Sequence, residues 1–258
     1  IAGDNFDILG CHNYEYEPEN FQTGLLRIED YLIKLRDYIR ISKHPDIKIA
    51  ILEWGLCRSY DWRAGLHAAG NILMYERLSP ELEMSCPALW MRNTEDDPTW
   101  TSFIYHDHVS WFPGGGYVAE KLFRDHYAEN LLASTRGTFR DISNRASFFT
   151  DISQMKPEDW NGGTFEAVAT GSTDGKRIVI KTINYDGVKN TLLTRIQGAA
   201  SPQKAIVKIY SVNADPLLKA SIENPDVFKV NEKTITYSSD MAIEIEPHSV
   251  NVIEIIKE

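Results

Sequence analysis

The stretch IKIAILEWGL, residues 47–56, decides how the first half of this chain is interpreted. It is an apolar, β-branched run that ends in a glutamate, a tryptophan and a short apolar tail. A continuous apolar run of this length is typical of a strand buried on both faces of a parallel sheet. The run therefore predicts a buried parallel strand with Glu53 near its carboxyl end, where a carboxylate is costly unless it is hydrogen-bonded or used in chemistry.

Around this strand, the first half of the chain alternates between strand and helix patterns. Helices are indicated by apolar residues that recur on one face, and turn signals such as Pro45 and Pro80 follow them. The predicted elements, in order, are a strand in FDILGCHNY (6–14), a helix in 21–42, the strand in 47–56, a helix in 64–79, the segment MSCPALWMRN (84–93), a strand and a glycine-rich loop in 102–118, and a helix in 117–133. MSCPALWMRN fits either a third strand or the continuation of a helix, and we favour a helical stretch followed by a short strand.

From about residue 129 the pattern changes to short β-rich runs at regular spacing. The turn signals TDGK, YDGV, SPQK and VNEK separate the runs, which is the signature of an antiparallel β-sandwich. The sequence thus predicts two domains, an α/β domain over residues 1–128 and an all-β domain over residues 129–258. The β-rich runs lie at 164–172, 176–186, 190–198, 204–212, 233–239 and 241–256, the last as a single run, MAIEIEPHSVNVIEII.

The composition argues against several classes of partner and indicates no cofactor. The 258 residues carry a net charge of -10 with no basic stripe, which argues against a nucleic acid partner. No apolar run approaches membrane-spanning length, so we expect no membrane segment. The three cysteines, Cys11, Cys57 and Cys86, follow no metal-binding spacing, and we interpret them as small buried apolar side chains.

Two residues of the preceding strand are expected beside Glu53. His12 and Tyr14 lie at the end of the first strand, in CHNY, and the carboxyl ends of barrel strands meet at one rim. For Glu53 two interpretations remain open: a functional carboxylate at the mouth of a site, or a structural carboxylate paired with Arg58 or Arg63.

Two other groups of residues are ambiguous. YHDH, residues 105–108, contains two histidines on one side of a predicted strand, but a third metal ligand is not evident, so an ordinary rim or hydrogen-bonding role is favoured over a metal site. The tryptophans are candidates for lining a sugar-stacking cleft, although aromatic side chains in a barrel are commonly core packing. They are Trp54, Trp90, Trp100 and Trp111.

The order of several segments resembles a known enzyme family. ILEWG, preceded by CHNYEY and followed by WFPGGGYVAEKLF, ASIENPDVF and EPHSVNVIEI, is similar to the C-terminal half of glycoside hydrolase family 51 α-L-arabinofuranosidases. The resemblance runs through nearly the whole chain. It implies the C-terminal part of a (β/α)8 TIM barrel, followed by an antiparallel, jelly-roll-like β-sandwich.

The resemblance also implies a retaining mechanism and roles for particular residues. In such enzymes one carboxylate attacks the anomeric carbon while a second, roughly 5 to 5.5 Å away, protonates the leaving oxygen. Glu53 matches the nucleophile at the end of the seventh barrel strand. His12 and Tyr14 match the residues of the sixth strand that contact the sugar and help to hold the nucleophile, and Trp54 is expected to bind substrate with them.

This sequence departs from the family pattern in two ways. Gly55 to Cys57 follow Glu-Trp where the family often carries Asn and then an aromatic residue, so contacts around the sugar are expected to differ. The family's acid/base glutamate lies in an Asn-Glu motif at the end of the fourth strand, which would lie upstream of Ile1. The chain, which does not begin with Met, reads as a sequence cut from something longer.

The length of the α/β part also indicates an incomplete barrel. A full barrel needs about 250 residues, so residues 1–128 suffice for roughly the last three β/α units. We therefore expect the chain to carry the nucleophile, to lack the acid/base glutamate, and to expose an open strand edge. It would then depend on the missing N-terminal part of the barrel or form a homo-oligomer, and it would be inactive by itself.

Several functions remain as alternatives. The first is release of α-L-arabinofuranosyl residues from plant-type polysaccharides, and a second is a β-glucanase or xylan-active hydrolase of the same clan. A third is a non-catalytic carbohydrate-binding protein that uses Trp160 or Tyr185 of the sandwich, and a fourth is a degenerate barrel that serves as a scaffold. For a polysaccharide-degrading enzyme, a secreted or periplasmic location is favoured over a cytoplasmic one.

Overall fold

A computed structural model describes residues 5–133, 164–196, 202 and 204–258. Within these residues the chain forms three α-helices and fourteen strands. The helices are α1 (Thr23–Arg40), α2 (Trp62–Arg77) and α3 (Gly115–Asp125). The strands are β1 (Ile8–Glu15), β2 (Lys48–Leu56), β3 (Leu82–Pro87), β4 (Met91–Asn93), β5 (Ile104–His106), β6 (Trp111–Pro113), β7 (Asn130–Leu131), β8 (Phe165–Gly171), β9 (Arg177–Asn184), β10 (Asn190–Arg195), β11 (Ala205–Asn213), β12 (Asn231–Thr236), β13 (Asp240–Ile245) and β14 (Ser249–Lys257).

The first part of the chain is a parallel β-α-β-α-β unit. Strands β1, β2 and β3 form one sheet in that order, with both pairs parallel. Helix α1 connects β1 to β2, and helix α2 connects β2 to β3. The amphipathic pattern of α1 explains its position, because Ile28 and Leu32 pack in one apolar cluster with Ile49 and Ile51 of β2. The predicted strand in residues 47–56 is confirmed.

Three predictions of secondary structure were wrong, one of them the extent of the helix in 117–133, because α3 ends at Asp125 and Asn130–Leu131 form strand β7. The favoured helical start of MSCPALWMRN is not observed, and the alternative of a third strand is: β3 extends the sheet beside β2, and β4 pairs with β5 in a separate three-stranded sheet with β6. The open edge of β2 supplies hydrogen bonds that the sequence does not reveal, and Pro87 disfavours a helix. The run 241–256 is two strands, because Pro247 interrupts the ladder and His248 has a positive φ of 47°.

The second part is rich in antiparallel β-structure. Six strands form a sheet in the order β12-β11-β14-β9-β8-β7, and β10 pairs separately with β13. One face of the large sheet and the inner face of β13 share an apolar cluster, which buries the alternating isoleucines of these strands. The members of this cluster are Ile178, Ile180, Val207, Ile209, Met241, Ile243, Ile245, Ile253 and Ile255.

The opposite face of the six-stranded sheet packs against the helices of the first part. Side chains of α1, α2 and α3 form one buried cluster with residues of β8, β9, β11 and β14. Strand β14 is therefore buried on both faces. Tyr185 lies in this cluster and is buried, which corrects the interpretation of this tyrosine as an exposed carbohydrate contact. Trp160, the other aromatic residue of that interpretation, lies outside the described residues.

The cysteines and the helices bear on two further predictions from the sequence. Cys57 is buried as expected, whereas Cys11 and Cys86 are only partly buried, and all three are free thiols. None of the helices in the described ranges is long and apolar enough to cross a membrane.

Close packing of α2 against α3 depends on Gly65. A Cβ at this position would lie 2.5 Å from the Trp62 ring and 3.0 Å from the carbonyl oxygen of Gly115. We predict that Gly65→Ala lowers the free energy of unfolding by roughly 1–2 kcal/mol, because overpacking of this kind costs about 1–3 kcal/mol and the helix propensity of alanine returns less than about 1 kcal/mol. Urea unfolding measures the change.

The matched control is Gly187→Ala. The nearest atom to a Cβ there is Nε2 of His248 at 3.5 Å, so stability should change by less than about 0.5 kcal/mol. A Gly65→Ala protein as stable as the parent would show that α2 and α3 can move apart at little cost.

Candidate functional site

A single extra residue in β2 determines where Glu53 points. Cys11 of β1 pairs with Ile51, but the next residue, His12, pairs with Glu53, so Leu52 is an unpaired bulge residue. Side chains alternate between the two faces of a strand, and a bulge reverses that alternation beyond it. Without the bulge, Glu53 would share the helix-facing side with Ile51. With it, Trp54 takes that side and Glu53 faces the open side of the sheet.

The open face of β1 and β2 carries the polar residues of the candidate site. His12 and Tyr14 alternate along β1 and both reach Glu53. Gly10 precedes them on the same face, where an added Cβ would lie 2.6 Å from Cδ1 of Leu52. The bulge residue and the glycine thus fit together immediately before the carboxylate.

Glu53 is held by two neighbours through one oxygen. The Tyr14 hydroxyl donates to Oε2 of Glu53 at 2.7 Å, and Nδ1 of His12 lies 3.3 Å from the same oxygen. The side chains of Glu53 and His12 are 46% and 51% exposed, so the carboxylate faces solvent at the edge of the sheet and not the core. The structure brings together the three residues that the sequence placed side by side.

Tyr14 is a fixed hydrogen-bond donor in this arrangement. Partial burial raises the pKa of its phenol, and the hydrogen bond to Glu53 and the charge of that carboxylate raise the pKa further. The hydroxyl consequently keeps its proton throughout the neutral pH range and continues to donate to Glu53.

Trp54 does not belong to this open face. Its side chain is 1% exposed and packs edge-on against Tyr75 and Phe103. The expectation that Trp54 contacts substrate is therefore corrected, because its indole has no surface open to a sugar. As a core residue it anchors the end of β2 on the side opposite Glu53.

Another tryptophan lies close to the site instead. The ring of Trp100 contacts the rings of Tyr14 and Tyr16 at centroid distances of 5.5 and 6.5 Å. Trp100 belongs to the loop between β4 and β5 and is partly exposed. The result is an aromatic cluster next to the residues that hold Glu53.

Arg92 fixes the loop that carries Trp100. This buried guanidinium donates to the carbonyl oxygens of Asp96 at 2.6 Å and Trp100 at 2.5 Å, and to the hydroxyl of Tyr60 at 2.9 Å. Five donors in a rigid fork suit such a cage of carbonyl oxygens. No sequence pattern indicates this role, because two of the acceptors are backbone carbonyl oxygens of a loop and the third is the hydroxyl of the distant Tyr60.

The structural alternative for Glu53 is not observed. Arg63 pairs with Asp61 at 2.8 Å, with Glu19 at 3.7 Å from the same guanidinium. Arg58 lies 3.9 Å from Glu17. Neither arginine contacts Glu53 within the part of the chain that the structure describes.

The YHDH segment ends strand β5 at His106 and then begins the turn that leads into β6. Asp107 accepts hydrogen bonds from the backbone N–H groups of Val109 and Ser110, and Nδ1 of His106 lies 2.7 Å from the carbonyl oxygen of Asp107. These contacts stabilise the connection between β5 and β6. Among the described residues, no group of three or more His, Cys, Asp or Glu side chains is arranged to hold a metal ion.

The remaining tryptophans have different environments. Trp90 stacks on Phe103 with ring centroids 5.6 Å apart, and Trp111 at the start of β6 is exposed. Of the four tryptophans named from the sequence, Trp100 is the one with a ring contact to Tyr14 in the described structure.

Comparison with known proteins identifies the fold. No protein-family model and no curated protein sequence matches this chain. The α-L-arabinofuranosidase of family GH51 from Thermotoga petrophila RKU-1 has a similar structure, with a TM-score of 0.79 and 20% sequence identity over 98% of this chain and 53% of that chain. The arabinose complex of the Thermotoga maritima α-L-arabinofuranosidase matches with a TM-score of 0.78 and 20% identity, over 99% and 54% of the two chains.

More distant similarities extend to other glycosidases. CelM2, a bifunctional glucanase-xylanase from a metagenome library, matches with a TM-score of 0.61 and 12% identity, over 98% of this chain and 44% of that chain. The present chain spans about half the length of the arabinofuranosidases it matches. At these identities the likeness establishes the fold, and the resemblance to the family 51 arabinofuranosidases is confirmed at that level.

A buried histidine behind the site should make stability depend on pH. Burial lowers the pKa of His67 to about 4, against the opposing effects of its hydrogen bond to Phe21 and the charge of Glu15. Since the unfolded value is about 6.5, the unfolded chain binds the proton more readily between these limits. The contribution of neutral His67 is complete above pH 6.5 and is lost as the pH falls towards 4, with a total of roughly 3 kcal/mol.

We predict that the stability difference between the parent and His67→Gln shrinks by roughly 2–3 kcal/mol between about pH 7.5 and pH 4.5. Urea unfolding at the two pH values provides the measurement. Leu66→Ala is the control, because this buried leucine of the same helix binds no proton and its effect should be the same at both pH values. A constant difference for His67→Gln would mean that this imidazole is protonated without penalty in the folded chain.

Proposed function

We propose that this chain is the C-terminal portion of a retaining glycoside hydrolase that releases α-L-arabinofuranosyl residues from plant-type polysaccharides. Glu53 is the nucleophile in this proposal. The observation that carries it is the bulge at Leu52. The bulge places the carboxylate of Glu53 on the open face of β2, where it contacts Tyr14 and His12. The similarity of the fold to solved arabinofuranosidases supports the substrate class.

The contacts of Glu53 suit nucleophilic attack. Tyr14 and His12 both contact Oε2, so Oε1 is left to form the bond to the anomeric carbon. Attack requires an ionised carboxylate, and the Tyr14 hydroxyl is placed to donate a hydrogen bond to it. Attack gives a covalent glycosyl-enzyme while a second carboxyl group protonates the leaving oxygen, and water then hydrolyses the intermediate with that second group acting as base.

The second carboxyl group does not come from the neighbouring strand in this proposal. Glu15, at the end of β1, is buried, pairs with Arg27 and accepts the backbone N–H of Glu17. These contacts engage both of its oxygens. We infer that the acid/base glutamate belongs to the part of the matched fold that this chain does not span.

The proposal includes a partial barrel followed by a β-sandwich. Strands β1, β2 and β3 would be the last three strands of a (β/α)8 barrel formed by residues 1–128, and the two antiparallel sheets would form a β-sandwich within 129–258. Three exposed apolar side chains lie on the three neighbouring strands, namely Ile8, Leu52 and Met84. Exposed apolar side chains on one sheet support the proposal that further barrel structure covers them. Strand β1 also presents an open edge that would pair with the preceding barrel strand or with another copy.

An alternative sugar remains compatible with this machinery. The similarity to a bifunctional glucanase-xylanase favours a β-glucanase or xylan-active hydrolase as the second candidate. Trp100, held by Arg92 beside Tyr14, would contact the sugar in either case through its ring face. The choice between them depends on which glycoside the completed site accepts.

Covalent trapping tests the role of Glu53 directly. In a protein that joins this chain to the preceding half of the barrel, a 2-deoxy-2-fluoro arabinofuranoside with a good leaving group should label the peptide that contains Glu53. Glu53→Gln should abolish the label and lower kcat by at least about 10⁴-fold, as loss of a nucleophile does. Peptide mass mapping and turnover of aryl arabinofuranoside, glucoside and xyloside provide the readouts.

The matched control is Glu17→Gln, a surface glutamate near Arg58, which should keep both label and turnover. Residues 1–258 alone should show no turnover of any aryl glycoside. Label on another carboxylate would remove Glu53 from the proposed role, and turnover by the chain alone would contradict the inference of a missing acid/base group.

The hydrogen bond from the Tyr14 hydroxyl to Glu53 should contribute to the rate of the reaction. Because a hydrogen bond to a charged group contributes about 1.5–3 kcal/mol, we predict that Tyr14→Phe lowers kcat/KM of the joined protein by about 10- to 100-fold. Tyr16→Phe removes the hydroxyl from a neighbouring ring of the same aromatic cluster, and its kcat/KM should stay within about twofold of that of the parent. Equal losses in both variants would attribute the effect to packing of the cluster.

A further inference from the structure

A small cavity lies behind Glu53, between β2, α2 and the segment that leads into β5. Its lining includes Trp54, Gly55, His67, Ser102 and Phe103. Three of these side chains are at least 98% buried and carry a polar atom without a hydrogen-bond partner in the described part of the chain. The atoms are Nε1 of Trp54, Nε2 of His67 and Oγ of Ser102.

The chemistry of His67 fixes the hydrogen-bonding capacity of these atoms. Nδ1 of His67 lies 2.7 Å from the carbonyl oxygen of Phe21, which can only accept, so Nδ1 carries the proton. In the neutral ring Nε2 is then an acceptor. The indole Nε1–H of Trp54 is a donor only, and the Ser102 hydroxyl can donate or accept. The residues that line the cavity therefore carry one fixed donor, one fixed acceptor and one adaptable group.

Leaving these three groups without partners would be expensive. A buried polar group without a hydrogen bond carries most of its desolvation penalty, and such groups in proteins are nearly always satisfied by protein or by internal water. These atoms form no direct hydrogen bonds with one another, although a donor and a matching acceptor belong to residues that line the same cavity. The open space is about the size of one water molecule, which is too small for a sugar or an organic cofactor.

We propose that this cavity is a binding site for one resident water molecule. The water accepts a hydrogen bond from Nε1 of Trp54, donates one to Nε2 of His67 and exchanges a third with Oγ of Ser102. Three partners are the usual number for an internal water. Such a water joins the end of β2 to α2 and to the segment before β5, at the residue that follows Glu53.

Nuclear magnetic resonance can detect this water in the full chain. With ¹⁵N-labelled tryptophan, the indole N–H signal of Trp54, assigned from its disappearance in Trp54→Phe, should show cross-relaxation with a long-lived water. Trp62 is an internal control, because it is equally buried but donates directly to the carbonyl oxygen of His248 at 2.7 Å. The ¹⁵N shift of Nε2 of His67 should be that of an unprotonated, hydrogen-bonded nitrogen.

Variants separate the water site from general packing. Ser102→Ala removes one partner and should shorten the residence time about tenfold, the factor that corresponds to one hydrogen bond. Ser59→Ala removes an equally buried hydroxyl that donates directly to Asp61, and it should leave the Trp54 signal unchanged. Absence of a water contact at Trp54 in the parent, or a proton on Nε2 of His67, would overturn the proposal even if a variant fails to fold.

Discussion

The one-residue bulge at Leu52 is the constraint on which the candidate site depends. Strand β2 is apolar because it packs against α1 and α2, and strict alternation would bury Glu53 among those apolar side chains. The bulge occurs in a parallel pairing, where bulges are rare, and it reverses the faces of every residue beyond it. A strand can thus be almost wholly apolar and still present a carboxylate at its open face, while the adjacent tryptophan fills the core.

The position of β2 depends in turn on α2, which packs on the parallel sheet, on α3 and on the six-stranded sheet. Apolar side chains supply most of this contact, and charged pairs add specific links across it. Arg77 pairs with Glu29 of α1 and Glu166 of β8, and buried Lys181 pairs with Glu76 above the ring of Phe123. Such pairs add little net stability compared with apolar side chains, but losing one partner leaves a buried charge, so they penalise other arrangements of helix and sheet.

The face of β1 and β2 that carries Glu53 is open to solvent, unlike the interior behind it. Glu53 and His12 are about half exposed, whereas Trp54, His67 and Ser102 behind them are almost fully buried. The hydrogen bonds of Arg92 hold the loop that brings Trp100 against Tyr14, so one side of the site is formed by aromatic rings. A rigid, partly aromatic wall beside a solvent-facing carboxylate is consistent with a site that receives a sugar from solvent, in agreement with the proposed function.

The sequence by itself determined the strand-helix alternation of the first part, the β-rich character of the second part, and the grouping of Glu53 with His12 and Tyr14. These are local patterns, and residues at the ends of adjacent parallel strands meet at one edge. Only the tertiary structure decided the strand nature of 82–87, the burial of Trp54 and Tyr185, and the roles of Arg92 and Trp100. Most of these depend on a partner distant in sequence or on a single shift in register, and neither hydrophobic periodicity nor residue type encodes such pairings.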